Sequence, residues 1–430
     1  MALGKGLHKI NPTFLEDKDR IKKIQLDEIP IMLSEKGEIV CIPREDEVFA
    51  AAVIGSSGKG KTLLCNRLVG SLKHQWKANV AIMNDLSEET YRWSKEMNNG
   101  TFNRFNMEYL NQVPQASPII YLFPNTKTLN INKKLIPHSF FLKTVLPFVE
   151  ILDNLSFYLK GVSPDFELGK SEMYVNDIKE YLSECDSPSQ VKDVLEEQLP
   201  GADGKSFKAM RIKIKTAFNS LMSEEMLDLT NPECYSVLRH KDFVSNPFSA
   251  LMKAGLIPSF ITSDLINKKY KSEVFAYYTN LIFNNNLVDF PNEKTFLFFD
   301  ELRTVCERDD DPAAKAIGNV SARGRINNVG LIYSTQFYNK IPNSVKGAKL
   351  NYCFAFAHNN SDILREVGSD FDLDRRTKEK IKKLDTFEIV AMTNNKFICY
   401  FNDDRYEVTK PLKGKIFFPL ADHLKAGKRT

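Results

Sequence analysis

The sequence predicts an α/β fold: a mostly parallel central sheet interrupted by an all-helical insertion. Three observations predict it. The octapeptide GSSGKGKT at residues 55–62 stands between a strand-like run, Phe49 to Ile54, and a helix-like run, Leu63 to Val69. Short apolar runs without alternation recur along the chain, as suits parallel strands buried on both faces. One of them, Thr295 to Phe299, ends in the acidic pair Asp300-Glu301.

The octapeptide fits Gly-x-x-x-x-Gly-Lys-Thr in the strand–loop–helix setting that gives the pattern meaning. Gly55, Gly58 and Gly60 let the backbone turn tightly. The N–H groups along Ser56, Ser57, Gly58, Lys59 and Gly60 can then point at one phosphate. The helix that follows presents its positive end to the same anion. Lys61 is placed to reach the β- and γ-phosphates, and the Thr62 hydroxyl to hold Mg²⁺. A plain Gly/Ser turn would not require every fixed position to be filled with both flanks correct. The expected ligands are ATP and Mg²⁺, on a P-loop NTPase (RecA-like) core.

Composition narrows the class. A chain of 430 residues suggests two or three domains. Its 43% hydrophobic and 27% charged content is ordinary for a globular protein, and a net charge of +4 neither demands nor excludes nucleic acid. The cysteines, Cys41, Cys65, Cys185, Cys234, Cys306, Cys353 and Cys399, form no Cys-x-x-Cys pair. They read as reduced thiols of a cytoplasmic protein, not as a zinc site or disulfide framework. Residues 1–30 are charged throughout, unlike a signal peptide. The most apolar long stretch, Phe140 to Leu159, carries Lys143, Pro147, Glu150 and Asp153. It reads as buried helical core, so no transmembrane segment is expected.

The elements follow in order. Residues 1–44 read as an N-terminal arm and a hairpin, Ile29 to Ile42 with its turn at Ser34-Glu35-Lys36-Gly37. Residues 45–135 carry the phosphate loop and two further strands, Val80 to Met83 and Ile119 to Phe123. Between 136 and 255 helical periodicity dominates, punctuated by Pro188, Pro200-Gly201 and Pro232, which predicts an all-helical insertion. The core resumes over 256–405. It has strands at Ser259 to Thr262, Thr295 to Phe299, Leu331 to Ser334 and Cys353 to Phe356, and a helix from Lys268 to Asn285. A closing hairpin is expected from Phe387 to Phe401 around Asn394-Asn395. Residues 406–430 read as a basic C-terminal tail.

The run FLFFDE supplies the second half of a hydrolytic site. Asp300 can hold the metal ion through a water, and Glu301 can act as general base on the attacking water. Downstream, ARGRINNVGLIYSTQ joins an arginine-bearing loop to a strand ending in Gln336. Gln336 is placed to sense the γ-phosphate or hold the lytic water, or else simply caps a strand end. Arg323 or Arg325 is a candidate for stabilising charge on the γ-phosphate, within the subunit or across an interface. The alternative for both is a solvated loop.

These motifs, in this order, resemble the HerA–FtsK superfamily of ring-forming, DNA-translocating ATPases. The likeness includes Asp85-x-x-Glu88-Glu89-x-Tyr91 after the second strand, Pro342 beyond the Gln-ended strand, the polar turn Asn359-Asn360-Ser361-Asp362 and the element Leu384 to Val390. It covers roughly residues 45–125 and 255–405, and looks closest to the HerA-like branch with its conjugation and viral genome-packaging relatives. The resemblance implies a homo-hexameric ring acting non-specifically on double-stranded DNA in the host cytoplasm or with a virion. A nuclease, portal or membrane channel would be its partner. A secretion or pilus-type motor of the same superfamily, which moves no DNA, is the alternative. The chain departs from the pattern at Asn84-Asp85-Leu86-Ser87, which lacks the usual Pro or Gly, and at Leu302-Arg303, where a small residue is usual. The 54 residues ahead of Gly55 are too few for the β-barrel of the repair translocases, and no N-terminal membrane helix is visible. A packaging or mobilisation role is therefore expected. For DNA contacts, Lys205 to Lys215 concentrates basic residues, with Lys208, Arg211 and Lys215 on one helical face. Such a stripe suffices for phosphate contacts, although a solvated helix face is the commoner reason for one.

Overall fold

The computed structural model describes residues 27–44, 48–85, 93–97, 99–110, 112–123, 139–141, 146–147, 179–185, 190–191, 193–194, 227–228, 247–261, 268–346, 350–401 and 404–421. The first elements among the described residues are the hairpin strands β1 (Ile29–Ser34) and β2 (Ile39–Ile42), where Leu33 pairs with Ile39. β3 (Ala50–Ile54) leads through the glycine-rich loop into α1 (Lys61–His74). Then come β4 (Asn79–Asp85), α2 (Gly100–Leu110), β5 (Ile119–Phe123), β6 (Ser139–Phe141) and the short pair β7 (Leu146–Pro147) and β8 (Leu227–Asp228). α3 (Pro247–Lys253), β9 (Ile257–Ile261), α4 (Lys268–Asp289) and β10 (Thr295–Phe299) follow. Next are α5 (Pro312–Arg323), β11 (Val329–Thr335), β12 (Tyr352–Ala355), α6 (Ser361–Asp370) and α7 (Arg375–Lys382). β13 (Glu388–Thr393), β14 (Phe397–Phe401), β15 (Asp404–Val408) and β16 (Leu412–Ile416) are the last elements among the described residues.

One 14-stranded sheet runs through the molecule in the order β15-β14-β2-β1-β16-β13-β12-β3-β11-β10-β4-β9-β5-β6. From β12 to β6 every neighbouring pair is parallel. From β12 back to β15 every pair is antiparallel. The central strands are buried on both faces, as their unbroken apolar runs require. Along β3, Ala50, Ala52 and Ile54 enter one core while Ala51 and Val53 enter the other. Along β10, Leu297 and Phe299 face the first core, Phe296 and Phe298 the second. Because the central strands are parallel, the carboxyl ends of β3, β11, β10 and β4 share one edge. Ligands of open α/β sheets bind at that edge.

Three expectations need correction. The segments from Phe387 to Phe401 do not form a hairpin: β13 pairs with β12 and β16, whereas β14 pairs with β2 and β15. Asn394 and Asn395 serve a different end. The Asn394 N–H donates to Asn351 O at 3.0 Å and its amide to Leu350 O at 3.0 Å, which fastens the turn to the start of β12. Residues 406–430 are not simply a basic tail. β16 is inserted between β1 and β13, and Phe417 and Phe418 behind it are buried, Phe418 stacked on Phe102 at 3.7 Å. Ile416-Phe417-Phe418 carries enough apolar surface to hold this strand in the sheet, despite the lysines around it. Finally, the segment expected to be all-helical contributes β6, which extends the sheet beyond β5. A three-residue strand is too short to show a period of its own. The arm over residues 1–26, the motif residues Glu88, Glu89 and Tyr91, and the basic run Lys205 to Lys215 lie outside the described residues.

Candidate functional site

The loop between β3 and α1 sits at the carboxyl edge of the sheet. Gly55, Gly58 and Gly60 all have positive φ, at 152°, 74° and 115°. At Gly55 any side chain is also blocked by packing, since a Cβ there would lie 2.6 Å from Phe356 Cβ. The loop is pinned at two points. The Ser56 N–H donates to Ala357 O at 3.1 Å, and the Phe387 N–H donates to Lys59 O at 3.1 Å. Lys61 Nζ donates to Gly55 O at 2.9 Å and to Ser56 O at 3.2 Å, so the ammonium sits within the curl of the loop. Ser57 and Gly58 are exposed at its tip, and Thr62 is half-buried in the first turn of α1. No side chain caps that helix and no acid stands in its first turn, so its N–H groups and positive end are directed at the loop.

The acidic pair follows β10 on the same edge. Asp300 N donates to Asn84 O at 3.0 Å and the Asn84 amide donates back to Asp300 O, which fixes the turn against the end of β4. Glu301 lies in the left-handed region at φ 45°, unusual for a residue with a side chain. That turn brings its carboxylate back across the end of β11. There Glu301 Oε1 accepts from Thr335 Oγ1 and from the Gln336 N–H, both at 3.1 Å. Ser334 Oγ donates to Asp300 Oδ1 at 2.7 Å and accepts from the Glu301 N–H at 2.9 Å. The Gln336 carbonyl is bonded in turn by His358 Nε2 at 3.0 Å.

Electrostatics tie the two halves together. Burial pushes the Glu301 carboxyl above the usual carboxylate range. The Gln336 N–H, the Thr335 hydroxyl and the Lys61 charge pull it back down, and Asp300 raises it further. The Cys65 thiol, one turn along α1 from Lys61, is held well above its ordinary value by burial and by Asp300, against Lys61. Lys61, Asp300 and Glu301 thus lie within electrostatic reach of one another, around the first turn of α1.

The two arginines are not brought to this site. Arg323 ends α5, and Arg325 lies in a single 3-10 turn, Gly324–Asn327, ahead of β11; both are exposed. A cavity beside Arg325 is lined by Phe49, Ala50, Val329 and Asn351, the leading ends of β3, β11 and β12. The arginines therefore stand at the opposite edge of the sheet from the phosphate loop. Seven residues of β11 separate the two edges, about 20 Å at strand rise. That exceeds an arginine's reach, so neither side chain meets the phosphate loop of its own chain in this structure.

Sequence reasoning singled out Gln336 but not the Ser334 and Thr335 hydroxyls, nor Asn84 or His358 as partners of the acidic turn. The run Ser334-Thr335-Gln336 at a strand end was the available signal. The pairing of β10 with β11 that gives it meaning is a tertiary fact.

This is the fold of a P-loop NTPase, with a largely parallel core sheet. The particular likeness is to VirB4 of Thermoanaerobacter pseudethanolicus, with a TM-score of 0.54 at 14% identity over 89% of this chain and 96% of that one. The plasmid coupling protein TrwB, in complex with the ATP analogue ADPNP, gives a TM-score of 0.48 at 13% identity over 88% of this chain and 87% of that one. The genome-packaging NTPase B204 of Sulfolobus turreted icosahedral virus 2 gives 0.25 at 14% identity over 34% and 66%. No protein-family model matches the chain, and no curated protein matches it. Among the described residues no helix is long and apolar enough to cross a membrane, and no cluster of three or more His, Cys, Asp or Glu side chains forms a metal site by itself.

Proposed function

We propose that this chain is an ATP-hydrolysing motor subunit that works as a homo-hexameric ring on double-stranded DNA. The observation that carries the ATPase reading is the Glu301 carboxylate, held across the end of β11 within electrostatic reach of Lys61. The loop over residues 55–62 would wrap the triphosphate, with Lys61 on the β- and γ-phosphates. The Thr62 hydroxyl and Asp300 would hold Mg²⁺, and the bound ion would neutralise phosphate charge. That ion needs no further protein ligands, because phosphate oxygens and water complete its shell. Glu301 accepts the proton of the attacking water, and Gln336 lies beside it, where the γ-phosphate would end.

The ring is supported by the placement of the arginines. Having no route to their own phosphate loop, Arg323 and Arg325 face outward towards another copy. Three exposed apolar residues flank them: Leu287 and Val288, 42% and 78% exposed, and Ile326, 72% exposed. The Asn286 amide donates to Asn327 O at 2.9 Å, and the Asn327 amide to Phe283 O at 3.0 Å, so the end of α4 and the arginine turn move together. A head-to-tail contact through this face would close a ring and supply one arginine to the neighbour's nucleotide.

Mixing inactive subunits tests the exchange. Lys61→Ala and Arg325→Ala subunits are each expected to be inactive alone. Together they form some boundaries with both groups intact, so part of the ATPase activity should return. Rings shown to be mixed but inactive would return both arginines to the solvent.

The DNA reading rests on the sequence resemblance. Steady-state ATPase activity with and without duplex DNA, beside the mass of the assembly, tests it. Stimulation by DNA in a particle of about six subunits is the expected result. A rate indifferent to DNA would favour a secretion or pilus-type motor of the same fold, docked on a membrane channel. A cytoplasmic or virion-associated location, and a nuclease or portal partner, belong to the DNA reading.

A further inference from the structure

α7 carries a basic face that the sequence motifs did not single out. Residues 374–383 hold six lysines and arginines against two acids, a surplus of four that equals the net charge of the entire chain. The helix is fixed by its own residues. Asp374 caps it, accepting the Thr377 N–H at 2.6 Å, and Ile381 is its buried anchor. The Lys378 stem lies over Gly368 of α6, where any side chain would strike it, so α6 and α7 pack as one unit. Arg376, Lys380 and Lys383 then stand at i, i+4 and i+7 on the outer side, all exposed. Glu379, the acid on that side, is engaged by Lys382 at 2.7 Å. Among the described residues the three cations of the stripe form no ion pair and no side-chain hydrogen bond.

Basic helix faces are common on protein surfaces. Two features give this one a partner. The first is its chemistry. The outer side, Arg375, Arg376, Glu379, Lys380, Lys382 and Lys383, holds no apolar or aromatic side chain. A protein partner or a bilayer would be met by one, whereas phosphates need only cations. The stripe runs about 10 Å along the helix, and over that length a duplex carries about six phosphate charges. The second feature is attachment. α6 and α7 are inserted between the two points that pin the phosphate loop: Ala357 O, which accepts the Ser56 N–H, and the Phe387 N–H, which donates to Lys59 O. α6 is tied besides to the turn after Gln336. Tyr338 Oη donates to Asp370 Oδ2 at 2.6 Å, and Lys346 pairs with Glu366. Force on the basic helix therefore falls on the loop that would hold the nucleotide. We infer that the outer face of α7 is a contact for the phosphate backbone of duplex DNA, with Arg376, Lys380 and Lys383 each meeting a phosphate. This rests on the reading of the chain as a motor on double-stranded DNA, and it supplies the place of contact that reading lacks. Such a contact reads charge and takes no account of base sequence.

The test is equilibrium binding of a labelled duplex of arbitrary sequence to the full chain, with and without a non-hydrolysable ATP analogue, across about 50 to 200 mM salt. The triple variant Arg376→Gln/Lys380→Gln/Lys383→Gln should bind about 10²-fold more weakly near 0.1 M salt. Its slope of log K against log salt should be shallower by about 2.7, the change for three lost phosphate contacts. Glutamine is a good helix former, so the thermal melt should match wild type. Glu379→Lys adds a cation to the face and should bind more tightly, an effect that misfolding does not produce. A triple variant with the wild-type slope overturns the proposal, and so does Glu379→Lys with unchanged affinity. If the triple variant does not fold, Glu379→Lys decides alone. Loss of binding to phosphatidylserine vesicles with duplex binding intact would make the face a membrane contact. A smaller particle with duplex binding intact would make it a boundary between subunits. Either result overturns the proposal. A wild-type chain that binds no duplex at any salt would instead remove the DNA reading itself, and the proposal with it.

Discussion

Replacing Lys61 with alanine is expected to abolish nucleotide binding or turnover, with a loss in rate of at least about 10²–10³-fold. The ammonium is held within the curl of the phosphate loop, and alanine would leave the β- and γ-phosphates without that charge-assisted partner. The fold should survive. The loop is held by Ala357 O, by the Phe387 N–H and by packing against Phe356, none of which involves the lysine side chain. Equilibrium binding of labelled ATP, steady-state hydrolysis and a thermal melt measure the three effects separately. Unchanged hydrolysis would sink the assignment of the phosphate loop.

Glu301→Gln is expected to leave ATP bound while slowing hydrolysis about 10²–10⁴-fold, the range for loss of a general base. An effect on stability should accompany it, in the opposite direction. The folded-state pKa of Glu301 is raised above that of an unfolded carboxylate, chiefly by burial. Between the two pKa values the folded protein binds more protons than the unfolded chain, so this group's contribution to stability falls as pH rises through that window. At neutral pH the ionised carboxylate is a net cost, and glutamine removes it. The variant should therefore melt higher than wild type at neutral pH, and the difference should vanish in acid. Wild-type turnover should fall as pH drops through the raised pKa. A variant that loses ATP affinity but keeps its turnover would make Glu301 a structural or metal-binding group.

The parts of this molecule that could be read in advance are those where chemistry is written locally. The GSSGKGKT loop carries its own backbone requirement in its glycines, and the FLFFDE strand carries its burial in its apolar run. What could not be read is partnership across the sheet. Asn394-Asn395 looks like a hairpin turn to any local rule, yet β13 and β14 part company because β16, β1 and β2 come between them. β16 is legible only once β1 and β13 are side by side. At the site, Thr335 is an ordinary strand residue until β11 pairs with β10, when Tyr333 stands opposite Phe299 and the hydroxyl beyond meets Glu301. The arginines show the same limit from the other side. Their spacing in sequence places them near Gln336, whereas the strand between carries them to the far edge of the sheet.

The double fastening of the phosphate loop has a consequence for how this protein meets its ligand. Ser56 is tied to the end of β12, and Lys59 to Phe387 at the entrance to β13. Phe387 packs in turn edge-on against Phe102 and Phe418. The curl is thus shaped by the fold itself, and the entropy lost in ordering it is spent during folding, before any phosphate arrives. Preorganisation of this kind lowers the cost of association. On the proposed reading the Lys61 ammonium, bonded here to the Gly55 and Ser56 carbonyls, would turn to the incoming anion. Nucleotide binding, on that reading, would be the turn of a side chain in a loop already formed, and the start of the antiparallel half of the sheet, at Phe387, helps to keep that loop in shape.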